Sequence, residues 1–189
     1  MAILTTTRGS SRLCRTLLCV FLVCEIPAAR PLTEQVAEEY HVKASFLYNF
    51  ARFVEWPSGT FHSQQEPFQI CVLGADPFGN ALEETFNGKQ LDGRPFRISR
   101  ISAAVQAATC QIIFICPSER RRLIGILADL PASGVLSVSE MDGFAASGGM
   151  INFTLTGGRV RFQVNPHAAE RARLQISSRL LSLAQVVDP

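Results

Sequence analysis

Charge is scarce in this sequence. Of its 189 residues only 18% are Asp, Glu, Lys or Arg, while 47% are hydrophobic; an average globular chain carries roughly 25% charged residues. Disordered chains are poor in apolar residues and rich in charge, so disorder is excluded as a description of the whole. The formal net charge of +2 is too small for the basic footprint of a nucleic-acid-binding domain. No apolar run reaches the ~20 residues that a membrane-spanning helix requires. From residue 30 onward the chain contains no P-loop, G-x-G-x-x-G, H-E-x-x-H, G-x-S-x-G or C-x-x-C pattern, which removes the local signatures of nucleotide, zinc-protease, hydrolase and thiol-redox chemistry. Internal repeats and low-complexity linkers are also missing, and the length suits one domain.

The first thirty residues stand apart. Arg8, Arg12 and Arg15 form a basic start, Leu17–Val23 an apolar stretch, and Pro27-Ala28-Ala29 a small-residue end. This is the layout of a secretory signal peptide, expected over residues 1–29 with cleavage after Ala29. A lipidated Cys24 is disfavoured by the bulky Val23 before it. Residues 1–29 hold three Arg and one Glu, so residues 30–189 carry fifteen basic and fifteen acidic side chains and are formally neutral. Cys14, Cys19 and Cys24 leave with the signal, and Cys71, Cys110 and Cys116 remain in an oxidising compartment.

Residues 33–56 read as one helix, capped by Thr33 and carrying Val42, Phe46, Phe50, Phe53 and Val54 at helical spacing. Pro57 ends it. Phe68–Gly74 is a nearly continuous apolar run, the pattern of a strand covered on both faces. Strands follow at 95–101, 111–116 and 134–139, with helical segments at about 77–87, 102–108 and 117–130 between them. Strands alternating with helices predict a mostly parallel sheet in a single α/β domain over residues 30–189. Met150–Leu155 and Arg159–Val164, joined through Gly157-Gly158, predict an antiparallel β-hairpin. A last helix is expected from Pro166 to about Val187.

Few residues suggest chemistry. The loop Gly74-Ala-Asp-Pro-Phe-Gly79 follows a strand and opens a helix, so Gly74, Asp76 and Gly79 are candidates for a small-ligand loop. It lacks dinucleotide glycine spacing, however, and Asp76 would repel phosphate. His41, His62 and His167 lie in separate segments without metal-ligand spacing, and no acid–base pair is local. Neither a metal, a cofactor nor an enzymatic activity is therefore expected. The Gly148-Gly149-Met150 run, with Asn152 after it, reads as a tight entry into the hairpin or as a close backbone approach to a ligand or partner. Trp56 reads as core or as an interface anchor. Leu180 and Leu183, on the expected C-terminal helix, are candidates for partner contact or for core.

Three cysteines allow one bridge. Cys110 and Cys116 flank a strand that separates their Cα atoms by roughly 20 Å at ~3.3 Å per residue, beyond disulfide reach. Cys71 in the first strand and Cys110 before the third are brought together if those strands are parallel neighbours. A Cys71–Cys110 bridge is therefore expected, with Cys116 free, and a 71–116 link is the alternative.

Several blocks carry a family resemblance. Lys43-Ala-Ser-Phe-Leu-Tyr-Asn-Phe-Ala-Arg-Phe-Val-Glu-Trp-Pro57 and Ile70-Cys-Val-Leu-Gly-Ala-Asp-Pro-Phe-Gly79 resemble the opening helix and first strand of the YfiR family. Gly148-Gly-Met-Ile-Asn-Phe153, Val160-Arg-Phe-Gln-Val-Asn165 and Leu174-Gln-Ile-Ser-Ser-Arg-Leu-Leu181 resemble its later blocks. The resemblance implies a compact α/β fold, often dimeric. It also implies a periplasmic repressor that binds the periplasmic domain of an inner-membrane diguanylate cyclase, so controlling cyclic di-GMP and biofilm formation. An outer-membrane peptidoglycan-binding lipoprotein would sequester such a repressor. Cys71 and Cys110 fall on one family disulfide position; the second cysteine pair of the best-known members is missing here. A small-ligand sensor module acting on another signalling protein is the alternative reading.

Overall fold

A computed structural model describes residues 2–3 and 32–188. The expected signal segment, with Cys14, Cys19 and Cys24, lies outside the described residues. The chain order is α1 (Leu32–Phe53), β1 (Val54–Glu55), β2 (Phe68–Leu73), α2 (Ala81–Phe86), β3 (Gln90–Leu91) and β4 (Arg94–Ile101). A 3-10 helix (Ala104–Thr109), β5 (Ile112–Ile115), a second 3-10 helix (Pro117–Arg122), α3 (Leu123–Asp129) and β6 (Leu136–Ser139) follow. The chain closes with β7 (Ile151–Thr156), β8 (Arg159–Val164), α4 (Pro166–Arg171), β9 (Gln175–Ile176), α5 (Ser178–Leu181) and β10 (Gln185–Val186).

An eight-stranded sheet runs in the order β10-β8-β7-β6-β5-β2-β4-β3. From β4 through β2, β5 and β6 to β7 every pairing is parallel, as the alternating pattern predicts. The hairpin is also present: β7 and β8 pair antiparallel, and Gly157 and Gly158 both have positive φ (+57° and +72°), as a two-residue type I′ turn demands.

Alternation along the buried strands builds two cores. On one face Phe68, Ile70, Val72, Ile112, Phe114, Leu136, Val138, Ile151 and Phe153 meet the α1 stripe of Ala44, Leu47, Phe50 and Ala51. On the other, Cys71, Leu73, Ile113 and Ile115 meet the first 3-10 helix, α3, and Met141 and Phe144. Because side chains alternate with period two, one apolar run supplies both cores. The aromatic rings concentrate under α1: Phe50 lies 5.2 Å from Phe162 and 5.6 Å from Phe153, centroid to centroid. Trp56 belongs to this core as well, edge-on to Phe68 at 5.0 Å and donating its indole N–H to the Gln111 carbonyl at 3.3 Å.

Two helical expectations need correction. The first helix ends at Phe53, because Val54 and Glu55 leave it to pair antiparallel with Ile176 and Gln175. The single C-terminal helix over 166–187 is not formed. Asn165 caps α4 by accepting from the Ala168 N–H at 2.9 Å, but Arg173 takes a left-handed φ of +56°. The Leu174 N–H then reaches back to the Ala169 carbonyl at 2.9 Å, the closing bond of a helix C-terminus. Ser177 starts a new short helix by accepting from the Leu180 N–H, and β10 joins β8 in parallel. Ser177 is a capping residue inside the apolar spacing, and the exposed edges of β1 and β8 offer backbone partners that a continuous helix would leave unused.

The glycine run before β7 is a close approach, to the chain's own side chain. A Cβ on Gly149 would sit 2.1 Å from the Phe144 ring, and Phe144 is fully buried. Gly149→Ala is therefore expected to destabilise the protein by roughly 1–3 kcal/mol through overpacking, read as a lower urea midpoint. An unchanged midpoint would show that the Phe144 ring can move freely.

Candidate functional site at the carboxyl edge of the sheet

Open α/β sheets present their binding groups beyond the carboxyl ends of the strands, where the winding reverses. In this sheet the reversal falls at β2, which has β4 on one side and β5 on the other. The crevice between β2 and β5 is filled from within. Ser118 Oγ accepts the Ala75 N–H at 2.9 Å. Gly74, at φ +103°, has no room for a side chain: a Cβ would lie 2.4 Å from Ser118 Oγ.

Asp76 is equally committed. One carboxylate oxygen accepts the Phe78 N–H at 2.8 Å, and the other accepts from Arg100 at 2.8 Å. Arg100 also pairs with Glu83. The hydrogen bond from Arg100 holds the Glu83 carboxyl below its ordinary range, and that same bond raises Arg100. Gly79 has positive φ and open space around it. The three loop residues singled out from sequence thus share one loop, whose polar groups serve the loop's own fold.

The buried charge of this edge comes from elsewhere. Lys43, one of two lysines in the chain, is 3% exposed and pairs with Glu39, one helical turn before it, and with Glu140, just beyond β6. The Tyr40 hydroxyl donates to the other Glu140 oxygen at 2.9 Å, and the Lys43 ammonium lies 4.5 Å from the Tyr40 ring centroid. Helical spacing explains the meeting. Tyr40, Lys43, Leu47 and Phe50 follow one face of α1, so the stripe that is apolar over the sheet continues as Tyr40 and Lys43 where it passes the strand ends. Burial, with the Glu140 charge and hydrogen bond adding to it, pushes the Tyr40 phenol well above its ordinary range. A cleft of about 380 Å³ opens here, lined by Lys43, Glu140, Asp142, Pro117, Thr154 and Leu155 among others. Sequence reasoning passed over Lys43 and Glu140 because they lie 97 residues apart; a lone lysine within an apolar helical stripe was the available signal.

Cys71 and Cys110 are disulfide-bonded, with Cα atoms 5.9 Å apart. The bridge fastens β2 to the segment before β5 and closes a loop of 39 residues, worth about 4 kcal/mol in the chain-entropy account. Cys116 is free and buried. Burial first, then the charges of Asp76, Glu140 and Glu119, push its thiol up to about 12.

The remaining candidates separate. Leu180 is 2% exposed and belongs to the α1-side core, which takes it off the surface. Leu183 is 65% exposed, and Val186 on β10 is 54% exposed close by in the chain. Asn152 is buried and donates to Gln163 Oε1 at 3.4 Å; Gln163 in turn donates to Gln185 Oε1 at 3.3 Å. His41 lies 3.5 Å from Glu84, and His167 beside Glu170 and Asp188. No cluster of three or more His, Cys, Asp or Glu suited to a metal occurs among the described residues.

Residues 40–185 match the protein family described as YfiR/HmsC-like. The fold is similar to the crystal structure of a conserved domain protein from Vibrio cholerae O1 biovar El Tor, at 10% identity and a TM-score of 0.54, covering 79% of this chain and 60% of that one. It is likewise similar to an ABC domain from Streptococcus pneumoniae solved in complex with L-Trp, at 9% identity and a TM-score of 0.54, again covering 79% and 60%. At such identities the likeness is one of fold, and this chain spans about three-fifths of each of those structures.

Two outcomes follow from this geometry. Lys43→Met leaves two carboxylates at the edge of the core without their cation and is expected to cost about 3 kcal/mol, measured by urea unfolding at neutral pH; a change under about 0.5 kcal/mol would place the cluster among surface pairs. Native Cys116 is expected to resist iodoacetamide at pH 8 and to react fully in urea, followed by intact-mass spectrometry. Its raised value stabilises the fold below the ordinary thiol value of 9.0, and this contribution is lost as pH rises from there toward about 12. Cys116→Ala should therefore flatten the alkaline decline in stability.

Proposed function

This chain belongs to the YfiR/HmsC-like family of periplasmic regulators of diguanylate cyclase signalling, and we propose that it is the repressing partner in such a circuit. Residues 1–29 would direct export, and residues 30–189 would act as the regulatory domain. No helix among the described residues is long and apolar enough to cross a membrane. In this reading the domain binds the periplasmic part of an inner-membrane diguanylate cyclase and restrains synthesis of cyclic di-GMP. A peptidoglycan-binding lipoprotein of the outer membrane withdraws it, releasing the cyclase and biofilm formation, and the repressor works as a homodimer.

The observation that carries the reading, beside the family match, is the exposed apolar pair at the C-terminus. Leu183 and Val186 stand out in solvent on the last segment of the chain, beside a sheet edge that β10 covers only at Gln163 and Val164. Large apolar groups left in water beside an unpaired edge suit a protein interface better than catalysis. Leu183 is thus the contact residue carried forward, and Leu180 is part of the fold.

The cleft beside Lys43 favours a second reading, a small-ligand sensor module acting on another signalling protein. A periplasmic metabolite that raises the melting temperature of the wild-type protein, but not of a variant altered at exposed Leu155, would support it.

Deleting the gene is expected to raise cellular cyclic di-GMP several-fold. Wild-type protein supplied in trans should restore the low level, whereas Leu183→Asp should fail to do so while accumulating to the same amount with an unchanged melting temperature. Cyclic di-GMP that stays constant on deletion, with the cyclase expressed, would overturn the repressor reading.

A further inference from the structure

The sheet has a second open edge, on the side of the molecule away from β10. β3 pairs with β4 only at Arg94 and Pro95, and among the described residues no strand lies beyond Phe96–Ile101. Exposed edges are commonly guarded by proline, by charge or by a covering element. Here the proline lies within the part that β3 already covers. The stretch left open is six residues long, about 20 Å of strand.

A cleft of about 610 Å³ runs beside this stretch, between α2 with the turn after it and the β4 edge. Its apolar lining is Phe86, Pro95, Phe96 and Ile98. The Phe86 and Phe96 rings are 4.8 Å apart, and Tyr48 backs them at 5.6 Å from Phe96. The cleft therefore combines an aromatic floor with an unpaired backbone wall.

The charges around it are unequally satisfied. Arg94 donates to the Ser63 and Glu66 carbonyls, and Arg100 is held by Asp76 and Glu83. On the opposite wall Glu83 is thus engaged, and Glu84 lies 3.5 Å from His41. The Arg97 side chain, exposed on the cleft, makes no hydrogen bond or ion pair among the described residues. Lys89, also on the cleft, lies 4.4 Å from the Tyr48 ring centroid and has no carboxylate partner there. Against these two cations stands Glu84, whose neighbour His41 is charged only when protonated, so the charge left over on the cleft is positive on balance.

The geometry points to a docking groove for an extended peptide segment of a partner protein that adds to β4 as a further strand. Such a segment carries an aromatic or large aliphatic side chain for the Phe86–Phe96 floor and a nearby carboxylate for Arg97 and Lys89. Main-chain hydrogen bonds to an open edge supply affinity in this mode of recognition, and the pocket beside the edge supplies selectivity. A second copy of this chain is the poorer occupant: edge-to-edge pairing of the open stretch would bring the unpartnered Arg97 side chains of both copies into one seam, where like charges repel. A helical occupant would leave the outward N–H and C=O groups of β4 unpaired. This inference stands apart from the cyclase reading and is tested without it.

The purified full chain is screened against a library of blocked, random octapeptides, and selected sequences are titrated by fluorescence polarisation. Selected peptides are expected to combine an aromatic or large aliphatic residue with Asp or Glu. Binding should slow amide hydrogen exchange within Phe96–Ile101. The exposed double variant Arg97→Glu/Lys89→Glu, which should keep its melting temperature, is expected to lose about tenfold in affinity, the scale of two exposed ion pairs. Replacing the peptide carboxylate with Lys should recover binding to that variant. Failure to enrich any sequence, enrichment of basic peptides, protection confined to another edge, or affinity unmoved in the double variant would each overturn the proposal.

Discussion

The contact on which the arrangement depends is the Lys43 ammonium, held between Glu39 and Glu140 and capped by the Tyr40 ring. Apolar packing is non-directional, so an aromatic stripe lying on a sheet tolerates sliding along its own axis. A buried cation tolerates much less, because moving it away from its carboxylates leaves charge in a desolvated place. At the opposite end of the helix the Trp56 indole performs the complementary task, donating to the Gln111 carbonyl. One anchor lies at the carboxyl edge of the sheet and the other at its amino edge. Between them α1 is fixed antiparallel to the strands it covers.

With α1 fixed, the remaining features follow from strands that are buried on both sides. The second face is closed by short helical pieces and by the Phe144 loop, and the Cys71–Cys110 bridge fastens its end. Polar groups at the carboxyl edge are consumed in tying loops together: Ser118 to Ala75, Asp76 to Phe78 and Arg100, Glu140 to α1. Groups engaged in this way are poorly placed to move protons for a substrate. At one end of the sheet exposed apolar residues stand beside β8 and β10, and at the other lies an open, basic strand, β4. Both ends suit recognition of other polypeptides, which agrees with membership of a regulatory family.

Much of this was legible in the sequence, for identifiable reasons. Continuous apolar runs such as Phe68–Leu73 are what a doubly covered parallel strand requires, and Gly157-Gly158 is a turn with little alternative. Elimination by distance, together with parallel adjacency, led to the Cys71–Cys110 pairing. The C-terminus misled because Ala168, Ala172, Leu180 and Ala184 keep a helical rhythm while the backbone finds better partners in β1 and β8. Leu180 and Leu183 looked equivalent on a continuous helix; once that helix is broken, one is core and the other solvent. The Gly74–Gly79 loop read as an ordinary loop after a strand or as a small-ligand loop; the groups that tie it, Ser118 from the 3-10 helix after β5 and Arg100 from β4, arrive from distant segments.

Charge is scarce in this protein, and its placement shows what local pattern leaves open. By itself the sequence determined the parallel α/β core, the hairpin and the family, since each of these is written in local pattern or in residue type. Only the tertiary structure decided where the few charges are used: Lys43 and Glu140 meet across 97 residues, Arg100 is drawn to Asp76 and Glu83, and the Arg97 side chain has no partner among the described residues. The physical reason is that periodicity fixes which face a side chain takes on its own element. What it meets there depends on elements distant in the chain, and for an ionised group in a largely apolar protein the identity of that neighbour decides whether it holds the fold together or stays free to bind.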